Sequence, residues 1–302
     1  MASTLLQLIQ QAAGEMGLPV PTTVASNLSQ DTSQQLALLN SVGNELQRQY
    51  IWQHSVVEYR FTTEYVTQTG TTTTGSPIIT GLASTIGLNG TYNVIGTGIN
   101  TDVYVLTNDS ASQVTLTQAS TASGTVTLNF CKVKYAYPGD YDRQIDRTHW
   151  DKTKHWEMLG PQTPQQWQFL KSGFISTGPR IRYRTSGGYF QIWPAISSAE
   201  YLGFEYISSF WVNSTGSFAP DKSAFTVDTD TCSFPDRLMV VGLKLKYFQT
   251  KGFDTSALVK EYQMQLDISK ANDGGSQTLS MSPRLSQLLI SVDQIPDSGY
   301  GS

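Results

Sequence analysis

His149 and His155 are the side chains best suited by type to move protons, and Asp146 and Asp151 lie close enough in sequence to orient an imidazole. The two histidines are six positions apart, a spacing that fits neither one face of a helix nor a metalloprotease motif. No serine or cysteine sits in a recognisable nucleophile turn, so a catalytic triad is not expected. Glu157, Glu200 and Glu205 are the carboxylates from which a glycosidase pair would be drawn. Their plainer role is as surface groups or as ion-pair partners of Arg180, Arg182 and Arg184. Asp228-Thr229-Asp230 is the best cation candidate, but a calcium loop needs further oxygen ligands and a turn glycine. Cys232, Ser233 and Phe234 follow instead, so the acidic pair is expected to cap the helix that Pro235 opens.

Cys131 and Cys232 are 101 positions apart with no CxxC partner, which favours two buried free thiols over a disulfide or a zinc site. Gly96-Thr97-Gly98 is too short for a dinucleotide loop. No catalytic, cofactor or metal residue is therefore assigned. The strongest remaining signal is aromatic: Trp150, Trp156, Trp167, Trp193 and Trp211 fall within 62 residues. Most should be core, and one or two are candidates for anchoring a neighbouring subunit.

Composition narrows the function classes. Charged residues make up 15% of the 302, against about 25% in ordinary domains. The net charge of −4 carries no basic field of the kind that tracks nucleic acid. No apolar run is long enough to span a bilayer, and the first residues lack the basic and apolar regions of a secretory signal. The chain is expected to be soluble when made.

Helices are expected at both ends. Leu5, Leu8, Ile9 and Ala12 recur at helical spacing after a cap at Ser3, with Gly17 and Pro19 as the stop. A second helix is expected from Asp31, with Gln34 completing a capping box. Leu39, Val42, Leu46 and Tyr50 form its stripe, and Gln35, Asn44, Gln47 and Arg48 its polar face. Near the other end, Leu238, Val241, Leu245 and Phe248 form the stripe of a helix from Pro235 to about Gln249. Leu258, Tyr262, Leu266 and Ser269 line one that starts after Asp254 or Thr255.

Between them, no Lys or Arg occurs from Arg60 to Lys132, and short β-branched runs alternate with Gly, Asn and Ser turns. That is the pattern of a small antiparallel β-module. Strands at Phe61–Tyr65 and Lys132–Tyr137 flank it and would form a hairpin without it, so the module reads as an insert at a turn. Thr163-Pro164-Gln165-Gln166 is a capped helix start, and strands are expected at 181–183, 189–193 and 202–207, the first two joined at Ser186-Gly187-Gly188.

The expected fold class is α+β. It comprises a helical bundle from residues 1–60 and 233–272, a β-rich host domain at 131–232, and the inserted β-module at 66–130. An extended tail at 273–302 carries one apolar cluster, Leu285, Leu288, Leu289 and Ile290.

Several segments, in order, resemble the head-to-tail adaptor proteins of short-tailed phages. They are Tyr137-Pro138-Gly139-Asp140-Tyr141, Thr148-His149-Trp150-Asp151, Leu159-Gly160-Pro161, Pro164-Gln165-Gln166-Trp167, Phe204-Glu205-Tyr206-Ile207-Ser208 with Trp211, Asp228-Thr229-Asp230-Thr231, and Gly242-Leu243-Lys244 through Lys251-Gly252. The opening helices match in kind, and residues 75–130 depart from that pattern.

The resemblance implies a non-enzymatic subunit of a dodecameric ring beneath the phage portal, with helices around the DNA channel. It implies a tail that reaches the portal, a lower rim that receives the tail nozzle, and a side that holds fibres. DNA would only pass through, no membrane would be involved, and the protein would reside at the head-tail junction of the virion after synthesis in the host cytoplasm. Contact residues under this reading are the tail cluster Leu285, Leu288, Leu289 and Ile290 with Trp150, Trp156 and Trp167. The alternative is a receptor- or glycan-binding tail component that uses the β-module.

Overall fold

Apolar residues at helical spacing form helices at both ends of the chain in the computed structural model, which describes residues 2–173 and 180–275. The helices are α1 (Leu5–Met16), α2 (Gln30–Gln49), a short α3 (Pro164–Lys171), α4 (Asp236–Lys251) and α5 (Ser256–Gly274). Strand β1 (Val56–Thr62) precedes β2 (Tyr65–Thr72), β3 (Ile78–Ile79), β4 (Tyr92–Gly96), β5 (Val105–Ser110), β6 (Gln113–Leu116) and β7 (Gly124–Lys132). Then come β8 (Lys134–Ala136), β9 (Tyr141–Gln144), β10 (Trp150–Asp151), β11 (Trp156–Glu157), β12 (Arg182–Ser186) and β13 (Tyr189–Trp193). The last are β14 (Tyr201–Ser208), β15 (Val212–Asn213) and β16 (Thr231–Cys232). The chain is α+β, with antiparallel ladders between its terminal helices.

Local chemistry sets the helix ends. The cap of α1 is Thr4, not Ser3: its hydroxyl accepts the Gln7 N–H, while the Gln7 side chain accepts the Thr4 N–H. Ser3 is drawn away to donate from its N–H and hydroxyl to Asp236, in the first turn of α4. The cap of α2 is Ser29, two residues before the expected start at Asp31. The box at Thr163, Pro164 and Gln166 forms as its sequence dictates.

α1, α2, α4 and α5 share one core with Trp52 and Trp211. α4 is buried on nearly every side, through Leu238, Met239, Val240, Val241, Leu243, Leu245 and Tyr247, and not along a single stripe. Gln35 and Gln47 are likewise buried and not on a polar face, since both fall on the arc of α2 that Leu39, Val42 and Leu46 cover; Gln47 donates to the Ser208 carbonyl at 2.6 Å. Where α2 meets Trp211, only glycine fits: a Cβ on Gly43 would lie 2.2 Å from the fully buried indole. Gly43→Ala is expected to cost about 3 kcal/mol, read as a lower urea midpoint with an unchanged m value.

The segment from β2 to β7 has its own core, built on Ile79, Val94, Val105, Val114, Leu128 and Phe130. It consists of two three-stranded sheets, β2-β7-β4 and β3-β6-β5. β2 and β7 pair from Tyr65↔Cys131 to Thr72↔Gly124, so the chain enters and leaves side by side. The expected flanking hairpin does not form. β1 pairs with β14, and β8 with β13 in a different sheet. The two flanks meet instead through side chains, with the Phe61 and Tyr135 rings 4.5 Å apart. The β12–β13 hairpin turns through Gly187 and Gly188, both at positive φ (62° and 77°) as a type I′ turn requires.

A lysine joins this segment to α3. Lys171 Nζ lies 2.8 Å from the Asp102 carboxylate and over the rings of Tyr104, Trp193 and Trp167 at 4.8, 5.5 and 5.7 Å. Its side chain is only 11% exposed, so the contact is poorly screened by solvent. Lys171→Ala is expected to lose about 2–4 kcal/mol and to speed proteolysis within 66–130, while Lys171→Met retains part of the packing.

Candidate functional site

The five-stranded sheet, β1-β14-β10-β11 with β9 also on β14, has an inner and an outer face. Directly paired residues point the same way. Tyr59 and Phe61 of β1 join Leu202 and Phe204 of β14 in the core. The pairs Glu58↔Glu205, Arg60↔Gly203 and Trp150↔Gly203 therefore project outward together. Glu58, Glu205 and Trp150 floor a cleft of about 650 Å³ whose walls include Arg147, Thr148, Lys152 and His155.

Two carboxylates directly opposite each other repel, and the cleft compensates at one of them. Lys152 crosses the sheet over Gly203, where a Cβ would lie 2.9 Å from its Cε, and pairs with Glu58. Arg60 pairs with the same carboxylate. The hydrogen bonds from Arg60 and then Lys152 hold the Glu58 pKa at about 2. A proton donor at neutral pH needs the opposite shift, so Glu58 acts as a fixed acceptor.

Thr148 anchors the neighbouring strand: its hydroxyl accepts the Glu205 N–H at 3.0 Å and donates to the Ile145 carbonyl at 2.7 Å. Asp151, 3% exposed, uses Oδ1 to accept the N–H groups of Thr153 and Lys154 at 3.0 and 3.1 Å. Its Oδ2 is buried with no hydrogen-bond partner among the described residues. Arg147 and His155 both hold left-handed backbone, at φ 65° and 57°.

The two histidines lie apart. His155 borders the cleft, whereas His149 is fully buried. The His149 ring stacks 3.9 Å from Tyr183 and 5.0 Å from Phe204, and neither ring nitrogen has a hydrogen-bond partner among the described residues. Burial pushes its pKa down to about 4. Of the three candidate glutamates, Glu205 is in the cleft and Glu157 lies across from Trp150. Glu200 is buried and pairs with Lys154 at 2.5 Å, in place of the arginines expected for it. Asp146 is exposed and accepts from Gln144.

Asp228 and Asp230 do not cap α4. Asp228 accepts the N–H groups of Val24 and Ala25. Asp230 accepts those of Thr226 and Val227 and pairs with Lys222 at 2.8 Å. Their backbone carbonyls receive Leu6 and Leu5, so this loop serves the start of α1. No cluster able to hold a metal ion occurs among the described residues. Cys131 and Cys232 are free and buried, and burial raises their thiols to about 11 and about 12.

Of the three tryptophans singled out for contacts, Trp150 is half-buried at the cleft and Trp156 is 37% exposed. Trp167, at 3%, belongs to the interior of this chain, because α3 turns it inward toward Lys171 and the β-module. Trp193 and Trp211 are also buried. Leu285, Leu288, Leu289 and Ile290 lie outside the described residues.

Sequence reasoning missed Glu58, Arg147 and Lys152. Alternation marks Glu58 as outward-facing, but only the register with β14 brings it to Glu205. A scan of the chain against models of protein families gives no match, and neither does a search of curated proteins.

Proposed function

We propose that the chain is a structural subunit of a short-tailed phage particle that closes with copies of itself into a ring between the portal and the tail nozzle. In this reading α1, α2, α4 and α5 form the bundle around the DNA channel, and the β-rich parts face outward. The observation that carries it is the second apolar face of α5. Leu266 and Ser269 pack inward, yet Ala257, Met264, Ile268 and Ala271 follow one another along the opposite face and are exposed, Met264 at 55% and Ile268 at 47%. Glu261 interrupts that stripe and is tied to Arg237. A helix with two apolar faces suits a position between subunits, and a ring supplies a different patch of the next copy to cover the second.

Two further features support the reading. Two of the segments that resemble the adaptors are distant in sequence but meet in the structure: Asp140 accepts the Tyr206 hydroxyl. A net charge of −4 suits a channel that lets DNA slide without gripping its phosphates. The apolar tail cluster Leu285, Leu288, Leu289 and Ile290 supplies the portal contact in this account, and the protein works at the head-tail junction.

Mixing the purified chain with portal protein and weighing the complexes by mass photometry tests the proposal. Stoichiometric loading of a portal ring is expected. A chain that remains monomeric and separate at micromolar concentration contradicts it.

A further inference from the structure

We infer that the cleft on the outer face of β1, β14 and β10 binds a neutral carbohydrate. This inference stands independently of the adaptor reading and concerns the host sheet, not the β-module.

The volume of about 650 Å³ lies within the range of small-molecule sites, roughly 300–1,000 Å³, and accommodates a short oligosaccharide. Trp150 supplies an apolar wall against which the C–H face of a sugar ring packs. Around it stand groups of both hydrogen-bonding senses. Arg147 and Lys152 donate, while Glu58 and Glu205 accept.

The charges choose between classes of ligand. An anion would meet the Glu58 and Glu205 carboxylates, and a cation would meet Arg147 and Lys152. A polyol is repelled by neither set, since each of its hydroxyls both donates and accepts.

Glu58 is already engaged by Arg60 and Lys152, which leaves the Glu205 carboxylate as the acceptor open to a guest. Arg147 and His155, both in left-handed backbone, border the same space, and strain of this kind concentrates at ligand sites. Nothing in this argument requires hydrolysis, and Glu58, held ionised, does not supply the proton that hydrolysis would need.

The test uses the full chain on an array of neutral, sialylated and phosphorylated oligosaccharides, with a lysine- and arginine-rich peptide as a control. The best neutral ligand is then titrated by tryptophan fluorescence and by NMR. A neutral oligosaccharide is expected to bind with Kd of about 0.1–1 mM. Trp150→Ala should weaken it about tenfold and Glu205→Gln about fivefold, while Trp150→Phe retains most of the affinity. Trp156→Ala, outside the cleft, should change it less than about twofold. The inference is overturned if no neutral saccharide binds at about 10 mM, or if only the charged glycans or the basic peptide bind. It is equally overturned if binding survives both Trp150→Ala and Glu205→Gln in folded protein.

Discussion

A chain carrying Met264→Glu together with Ile268→Glu is expected to remain a folded monomer and to lose ring assembly. Both side chains already face water, so the monomer should shift by no more than about 0.5 kcal/mol. In a ring they would be covered, and a buried carboxylate without a partner costs about 3–5 kcal/mol. Two of them weaken each subunit contact by about 6 kcal/mol or more, roughly four decades in the association constant. Sedimentation velocity with portal protein present reads the loss, and circular dichroism reads the intact fold. Met264→Leu, which preserves the apolar surface, should assemble normally. Full assembly of the double variant would remove α5 from the subunit contact.

Acid is expected to weaken the protein before its carboxylates titrate, and His149 is the main cause. Its folded pKa is depressed to about 4, so the folded state keeps the ring neutral while the unfolded state binds a proton near pH 6.5. Above pH 6.5 the histidine contributes no pH dependence. As pH falls from 6.5 to 4 the unfolded state gains protons that the folded state does not take, and stability drops by about 3 kcal/mol in all. His54, also depressed by burial, adds in the same direction. Glu58, held at about 2 by its cationic partners, loses its contribution only at lower pH. Urea unfolding at pH 7.5 and pH 5 should therefore differ by about 2 kcal/mol, and His149→Phe should remove most of that difference. An unchanged difference in this variant would place the acid sensitivity elsewhere.

What the sequence disclosed follows the range of the interactions involved. The α3 start was legible because Thr163, Pro164 and Gln166 act on one another within a single turn. The β12–β13 turn was legible because Gly187 and Gly188 supply positive φ locally. At α1 the same local logic identified a cap one residue early, since nothing nearby shows that Ser3 is taken by Asp236, 233 positions away. The flanking hairpin failed for a related reason: alternation tells which side of a strand faces the core but not which strand lies beside it.

The cleft shows the same division. Trp150, His155 and Glu205 stood out by residue type, whereas Glu58 joins them only through the pairing of β1 with β14. Gln35 and Gln47 misled because polar residue type masked their position: both lie on the one face of α2 that Leu39, Val42 and Leu46 cover.

Cryo-electron microscopy of the neck of the phage particle proposed to carry this chain tests the central claim most directly. The account predicts a closed ring under the portal in which Met264 and Ile268 of each subunit are covered by the next copy. A neck without this chain, or a ring in which that side of α5 faces open solvent, would contradict it.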